Sequence, residues 1–150
     1  MIKFCNIKNN PMNDLNLIRI FLLLLAFVFS NSLEAETEPN DSFETANRES
    51  YGSNITGTIM PASDVDYFKI ALPRAGTLQA SLSNVASNLN LELIIYDASE
   101  SQIGKAFSNS EGDINFNDIV CDAGDYYFLV KNRPFTGSES NQPYVLSINL

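Results

Sequence analysis

From residue 55 to the C-terminus, apolar side chains recur at every second position in short runs, a period that builds strands and cannot build helices. Phe68, Ile70 and Leu72 alternate with Tyr67, Lys69 and Ala71, and Leu78, Ala80 and Leu82 with Thr77, Gln79 and Ser81. Leu91, Leu93 and Ile95 form a third set, Ile114 and Phe116 part of a fourth, and Tyr144, Leu146, Ile148 and Leu150 the last. Side chains two apart on a strand share a face, so each run has one face to bury. Tyr126 to Val130 is continuously aromatic and apolar instead, which suits a central strand covered on both sides. Gly, Pro, Asn, Asp and Ser separate the runs. In Ala75-Gly76-Thr77 and Ala123-Gly124-Asp125 a glycine launches the next strand, where a tight reversal calls for positive φ. About eight short strands with no long helix between them predict an all-β fold, an antiparallel sandwich or barrel. The expected core is Phe68, Ile70, Leu93, Ile95, Leu129, Leu146 and Ile148.

The N-terminus follows a different rule. Residues 20–29 are apolar without a break, preceded by Lys3, Lys8 and Arg19 and followed by Ser30, Asn31 and Ser32. A membrane-spanning helix needs about 20 apolar residues. The order of basic, apolar and small polar segments predicts a signal peptide over residues 1–35. Ser30-Asn31-Ser32 and Leu33-Glu34-Ala35 both end in a small residue, so cleavage is expected between Ser32 and Glu36. No cysteine follows the apolar run, so no lipid anchor and no membrane attachment are expected after cleavage. The exported chain would then be secreted or periplasmic, with a leader over 36–54 and a sandwich over 55–150. Within the leader, Asp41 followed by Glu44 has the spacing of a capping box and predicts a short helix over Ser42 to Asn47.

Composition narrows the chemistry. From Glu36 onward there are six Lys and Arg against sixteen Asp and Glu, a balance of −10. So acidic a chain has no basic surface for phosphates, and no nucleic-acid partner is expected. It has no histidine, which removes Ser-His-Asp and Cys-His nucleophile systems and the usual zinc ligand sets. Cys5 falls in the signal segment, leaving Cys121 without a disulfide partner; beside Ile119, Val120 and the acidic Asp122 it reads as a small buried hydrophobe.

Two acidic stretches stand out. Glu36-Thr37-Glu38-Pro39-Asn40-Asp41 places four oxygen-bearing side chains, Glu36, Glu38, Asn40 and Asp41, in six residues. Ser63-Asp64-Val65-Asp66 leads into the strand that follows. Clustered carboxylates repel unless a cation neutralises them, and calcium takes 6–8 oxygen ligands in flexible geometry. The competing reading is a solvated acidic leader whose Asn40 and Asp41 only start the helix. Composition leaves both open.

The same segments carry a resemblance. Residues 36–47 look like the opening of the bacterial pre-peptidase C-terminal domain family, and Asp64-Val65-Asp66-Tyr67-Phe68-Lys69-Ile70 resembles its central signature. Ala75-Gly76-Thr77-Leu78, Leu93-Ile94-Ile95-Tyr96-Asp97, Ala123-Gly124-Asp125-Tyr126-Tyr127 and Pro143-Tyr144-Val145-Leu146-Ser147-Ile148 are similar to its later blocks, in order and spacing. The resemblance implies a secreted, jelly-roll-like sandwich that is not catalytic and that accompanies a protease domain. The collagen-binding domains of clostridial collagenases, similar in fold, bind calcium through two segments. Matched residue by residue, the first falls on Glu36, Glu38, Asn40 and Asp41, and the second on Thr58, Ser63 and Asp66. Ser63 stands where that pattern has Asp; Asp64 next to it is the substitute carboxylate. One charged ligand fewer implies weaker binding.

Three functions follow as expectations. The first is a calcium-stabilised, non-catalytic module that recognises an extracellular protein or polysaccharide, with Tyr96, Tyr127 and Phe135 as candidate aromatic platforms against the alternative that they are packing residues. The second is an accessory, targeting or inhibitory partner of a separately encoded secreted protease. The third is a glycosidase built on Asp64 and Asp66, since such chemistry needs two carboxylates. With no histidine, nucleophile elbow or cofactor loop, no enzyme is expected.

Overall fold

The alternation sorts each long strand into a buried and an exposed face, and two such sheets close over one core. The computed structural model describes residues 33–108, 112–133 and 138–150. Among them ten strands form: β1 (Leu33–Ala35), β2 (Asn47–Glu49), β3 (Asn54–Ile59), β4 (Val65–Leu72), β5 (Gly76–Ser83), β6 (Leu91–Tyr96), β7 (Gln102–Phe107), β8 (Ile114–Cys121), β9 (Gly124–Asn132) and β10 (Ser140–Asn149). They make two five-stranded sheets, ordered β1-β3-β10-β5-β8 and β2-β4-β9-β6-β7. The fold is an all-β sandwich. Its eight longer strands pair antiparallel, whereas β1 and β2 add in parallel to β3 and β4. The apolar run at 20–29 and the residues up to Ser32 lie outside the described residues.

Ile55, Ile59, Phe68, Ile70, Leu93, Ile95, Phe128, Leu146 and Ile148 fill the space between the sheets. Leu129 is buried but elsewhere. Its neighbours Phe128 and Val130 point inward, so Leu129 lies on the outer face of its sheet, paired with Tyr67 and Ile94. That β9 is central explains why Phe128, Leu129 and Val130 are all buried. Gly124 takes positive φ, at 151°, but Gly76 does not; there a side chain would press on Leu150 Cβ at 3.2 Å. Cys121 is buried and unpaired, and burial raises its thiol pKa.

The short helix expected over Ser42 to Asn47 is absent. Residues 42–45 form a turn and Asn47 opens β2. Six residues are too few to nucleate a helix without strong support, and here side chains compete for the backbone. Ser42 N–H donates to Thr45 Oγ1 at 3.1 Å and Thr45 N–H to Ser42 Oγ at 3.3 Å. The Asn47 amide meanwhile brackets Thr37, accepting from its N–H at 2.6 Å and donating to its carbonyl at 2.9 Å. The leader therefore crosses from β1, in one sheet, to β2, in the other.

The turn delivers Phe43 to the outer face of the second sheet. Its ring meets Tyr67, Tyr96 and Tyr127 edge-on, with centroids at 4.9, 5.1 and 5.1 Å. Tyr96 and Tyr127 are thus half-buried packing partners rather than an open platform, and Phe135 lies outside the described residues. Each aromatic pair adds about 0.5–1.5 kcal/mol beyond area burial. Phe43→Ala is expected to cost about 2 kcal/mol in urea unfolding, because Phe43 is only half-buried. A loss under about 0.5 kcal/mol, typical of surface sites, would show that the ring merely rests there.

Candidate metal centre

Where the leader crosses between the sheets it lies against the β3–β4 connection and the start of β4. This brings the two acidic stretches together. Carboxylate oxygens of Glu36, Glu38 and Asp66 lie within 4.8 Å of one another, and so do those of Glu38, Asp41 and Asp64. Glu38 belongs to both groups. Register explains the inner group: Asp66 occupies an inward position of β4, in step with Phe68 and Ile70, and is fully buried.

Four of the five carboxylates are partly anchored. Glu36 Oε1 accepts from Thr58 N–H at 2.6 Å and from the Thr58 hydroxyl at 3.1 Å. Glu38 Oε2 accepts from Asn40 N–H at 3.0 Å, and Asp64 Oδ2 from Met60 N–H at 2.7 Å. The Tyr144 hydroxyl, reaching across the core from β10, donates to Asp66 Oδ2. What remains is a set of buried atoms without protein partners: Glu36 Oε2, Asp66 Oδ1, and both Oδ1 and Nδ2 of Asn40. Asn40 is fully buried, and its carbonyl accepts from Tyr67 N–H at 2.9 Å, which fixes the leader to β4. Ser63 is exposed and belongs to neither carboxylate group, lining a groove of about 420 Å³ with Glu38, Asp41 and Asp64.

Crowding these acids has an electrostatic consequence. Burial, followed by the charge of Glu36, pushes Asp66 up to about 9. Burial also raises Glu36, Glu38 and Asp64, with neighbouring carboxylates adding to each. Tyr144 rises too, from burial first and then from Asp66 and Glu36. Without a counter-charge the cluster must hold protons to stay folded.

Three features of this centre were not read from the sequence. Tyr144 looked like one more core position, yet a buried tyrosine needs a partner for its hydroxyl, and that need was the available signal. Gly57 lies beside it: a Cβ there would collide with the Tyr144 hydroxyl and Glu36 Oε2, so only glycine leaves the acids room. The third is a carboxyl pair between β1 and β2, Glu34 with Glu49. Burial, then a hydrogen bond with Glu34, pushes Glu49 up to about 8.

No family model matches the chain, and no curated protein sequence does. Among solved structures it is similar to the pre-peptidase C-terminal domain of a collagenase from Bacillus anthracis, with 18% identity and a TM-score of 0.59 over 76% of this chain and 100% of that domain. The likeness is one of fold, a sandwich similar to that of a pre-peptidase C-terminal domain. A looser likeness is to a periplasmic inhibitor of g-type lysozyme from Aeromonas hydrophila, with 13% identity and a TM-score of 0.48 over 79% of this chain and 100% of that one.

Proposed function

We propose that this chain is an exported, non-catalytic binding module for an extracellular protein or polysaccharide, and that a calcium ion clamps its leader to the sandwich. The observation that carries the calcium reading is the buried, unpartnered polar set Asn40, Glu36 Oε2 and Asp66 Oδ1 beside the crowded carboxylates. Solvated acidic loops are common, but they do not bury polar atoms without partners. All donors are oxygens, with no imidazole or thiolate among them, which suits a hard cation. Glu36, Glu38, Asp66 and the side-chain Oδ1 of Asn40 would hold it on the inner side, and Asp41 and Asp64 would add negative charge on the outer side. Thr58 positions Glu36 rather than offering a free oxygen.

A glycosidase is the weaker reading. Retaining and inverting enzymes both flank the scissile bond with two carboxyls, whereas Asp66 is fully buried and sealed by Tyr144. No sugar ring reaches it.

Isothermal titration of the exported chain with calcium tests the clamp. Binding should be measurable, stronger than for magnesium, which demands near-ideal octahedral geometry. Asp66→Asn is nearly the same size but loses the charge, and should weaken calcium by about tenfold or more, the cost of a lost charge-assisted contact. No heat from the unmodified chain would overturn the proposal.

A further inference from the structure

The two faces of the sandwich differ in charge. In the first sheet the long strands β3, β5 and β10 contain no Asp, Glu, Lys or Arg, and β8 contains one, Asp118. On a chain with a balance of −9, a sheet whose four long strands carry a single charged residue is a local departure that needs a reason.

That face is also not flat. Leu78 pairs with Ile119 and Ala80 with Phe116, so Gln79 on β5 stands opposite two residues of β8, Asn117 and Asp118. This is a β-bulge. Bulges blunt exposed edges, and they also re-aim side chains at binding sites. Here the bulge accompanies a groove of about 340 Å³ lined by Gln79, Ser81, Asn115, Phe116, Asn117 and Asn149, with Ala80 at its base. Four of these side chains are primary amides. Among the described residues none of the four has a hydrogen-bond partner within the protein, whereas Asn54, Asn84, Asn88 and Asn90 elsewhere all do.

We propose that this groove binds a neutral polysaccharide. The inference rests on reading the chain as an exported binding module, and it places the ligand on the sheet opposite the tyrosines. An amide presents a donor and an acceptor side by side, which matches a sugar hydroxyl that gives one hydrogen bond and takes another. A protein interface would be expected to centre on aromatic, Met or Arg anchors, and none faces this groove: the Phe116 side chain turns into the core, its ring tip beside Gly104 of the other sheet. An anionic glycan would find no cation in the groove. The cations Lys105, Lys131 and Arg133 gather on the other sheet, two of them held by Glu92 and Arg133 stacked on Phe107 at 4.6 Å.

The test is native gel electrophoresis of the exported chain through gels containing hydroxyethylcellulose, glycol chitin, laminarin or dextran, with alginate and polygalacturonate as the anionic arms. At least one neutral gel should retard the protein, and the retardation should survive added salt because no ion pair is involved. Gln79→Ala with Asn117→Ala removes two neutral hydrogen-bonding groups and should weaken that binding about tenfold. Both side chains are exposed, so the double variant should melt with the parent, and Lys105→Ala should bind normally. Retardation by no neutral glycan, by anionic glycans alone, or equally by the double variant would overturn the inference. The calcium clamp is read separately by titration. A chain that binds calcium and no neutral glycan sinks this inference alone, and one that binds glycan without calcium sinks the clamp alone.

Discussion

Tyr144→Ala is expected to cost about 3–5 kcal/mol in equilibrium denaturation, the range for truncating a large buried ring. Tyr144 ranks among the largest fully buried side chains and joins the two sheets through its hydroxyl on Asp66. The truncation leaves a cavity and takes the Tyr144 hydrogen bond from a carboxyl whose Oδ1 is already without a partner. Tyr144→Phe separates the two effects. It keeps the ring and should cost about 1–3 kcal/mol, the penalty for stranding a buried polar group. Saturating calcium should shrink the Tyr144→Phe cost, since a cation on Asp66 satisfies the oxygen the hydroxyl served. The Ala variant should keep most of its loss, because a cavity is indifferent to calcium. If Tyr144→Phe were as stable as the parent in EDTA, the hydroxyl would not be holding Asp66.

What the sequence disclosed, and what it did not, follows from the range of the interactions involved. Period two is local, so the faces of β4, β5, β6 and β10 were legible from Phe68, Leu78, Leu93 and Leu146 without any partner strand. Leu129 was correctly placed as buried, but its burial comes from the outer face. Its cross-strand neighbours there are Tyr67 and Ile94, and Tyr67 packs against Phe43 of the leader, a long-range arrangement that periodicity cannot see. The leader misled for a related reason. Asp41 and Glu44 have helix-start spacing, yet the winning contacts are side-chain bonds from Asn47 to Thr37 and the parallel pairing of β2 with β4. The acidic stretches announced themselves by composition. Their convergence did not, because Glu38 meets Asp66 and Asp64 only after the sheets have formed. Asp64, read from the sequence as the substitute carboxylate beside Ser63, lies with Glu38 and Asp41.

Calcium should raise the melting temperature of the protein by about 10 °C when present at about 100 times its Kd. Binding to the native state alone contributes RT ln(1 + [L]/Kd), about 2.7 kcal/mol at that concentration, and a domain of this length shifts by about 3–6 °C per kcal/mol. The gain should be concentrated in the leader. Glu36, Glu38, Asn40 and Asp41 are on the leader and Asp66 is on β4, so a shared cation cross-links segments that otherwise meet through few hydrogen bonds, such as Thr58 to Glu36 and Tyr67 to Asn40. Proteolysis near residue 40 should therefore slow in calcium more than cleavage elsewhere. Asp66→Asn should remove most of the shift, while Ser63→Ala should change it less, because removing an exposed neutral hydroxyl loses less attraction for a cation than removing a charged ligand. Ser63→Asp should enlarge the shift, since it adds a carboxylate to the groove already lined by Glu38, Asp41 and Asp64. Melting in EDTA and in millimolar calcium reads all four chains. If the parent's two curves coincide, the acids are stabilised by protons rather than by a metal, with Asp66 held neutral by burial, and the leader is fastened by its hydrogen bonds to β3 and β4, the β2 pairing and Phe43, without a cation.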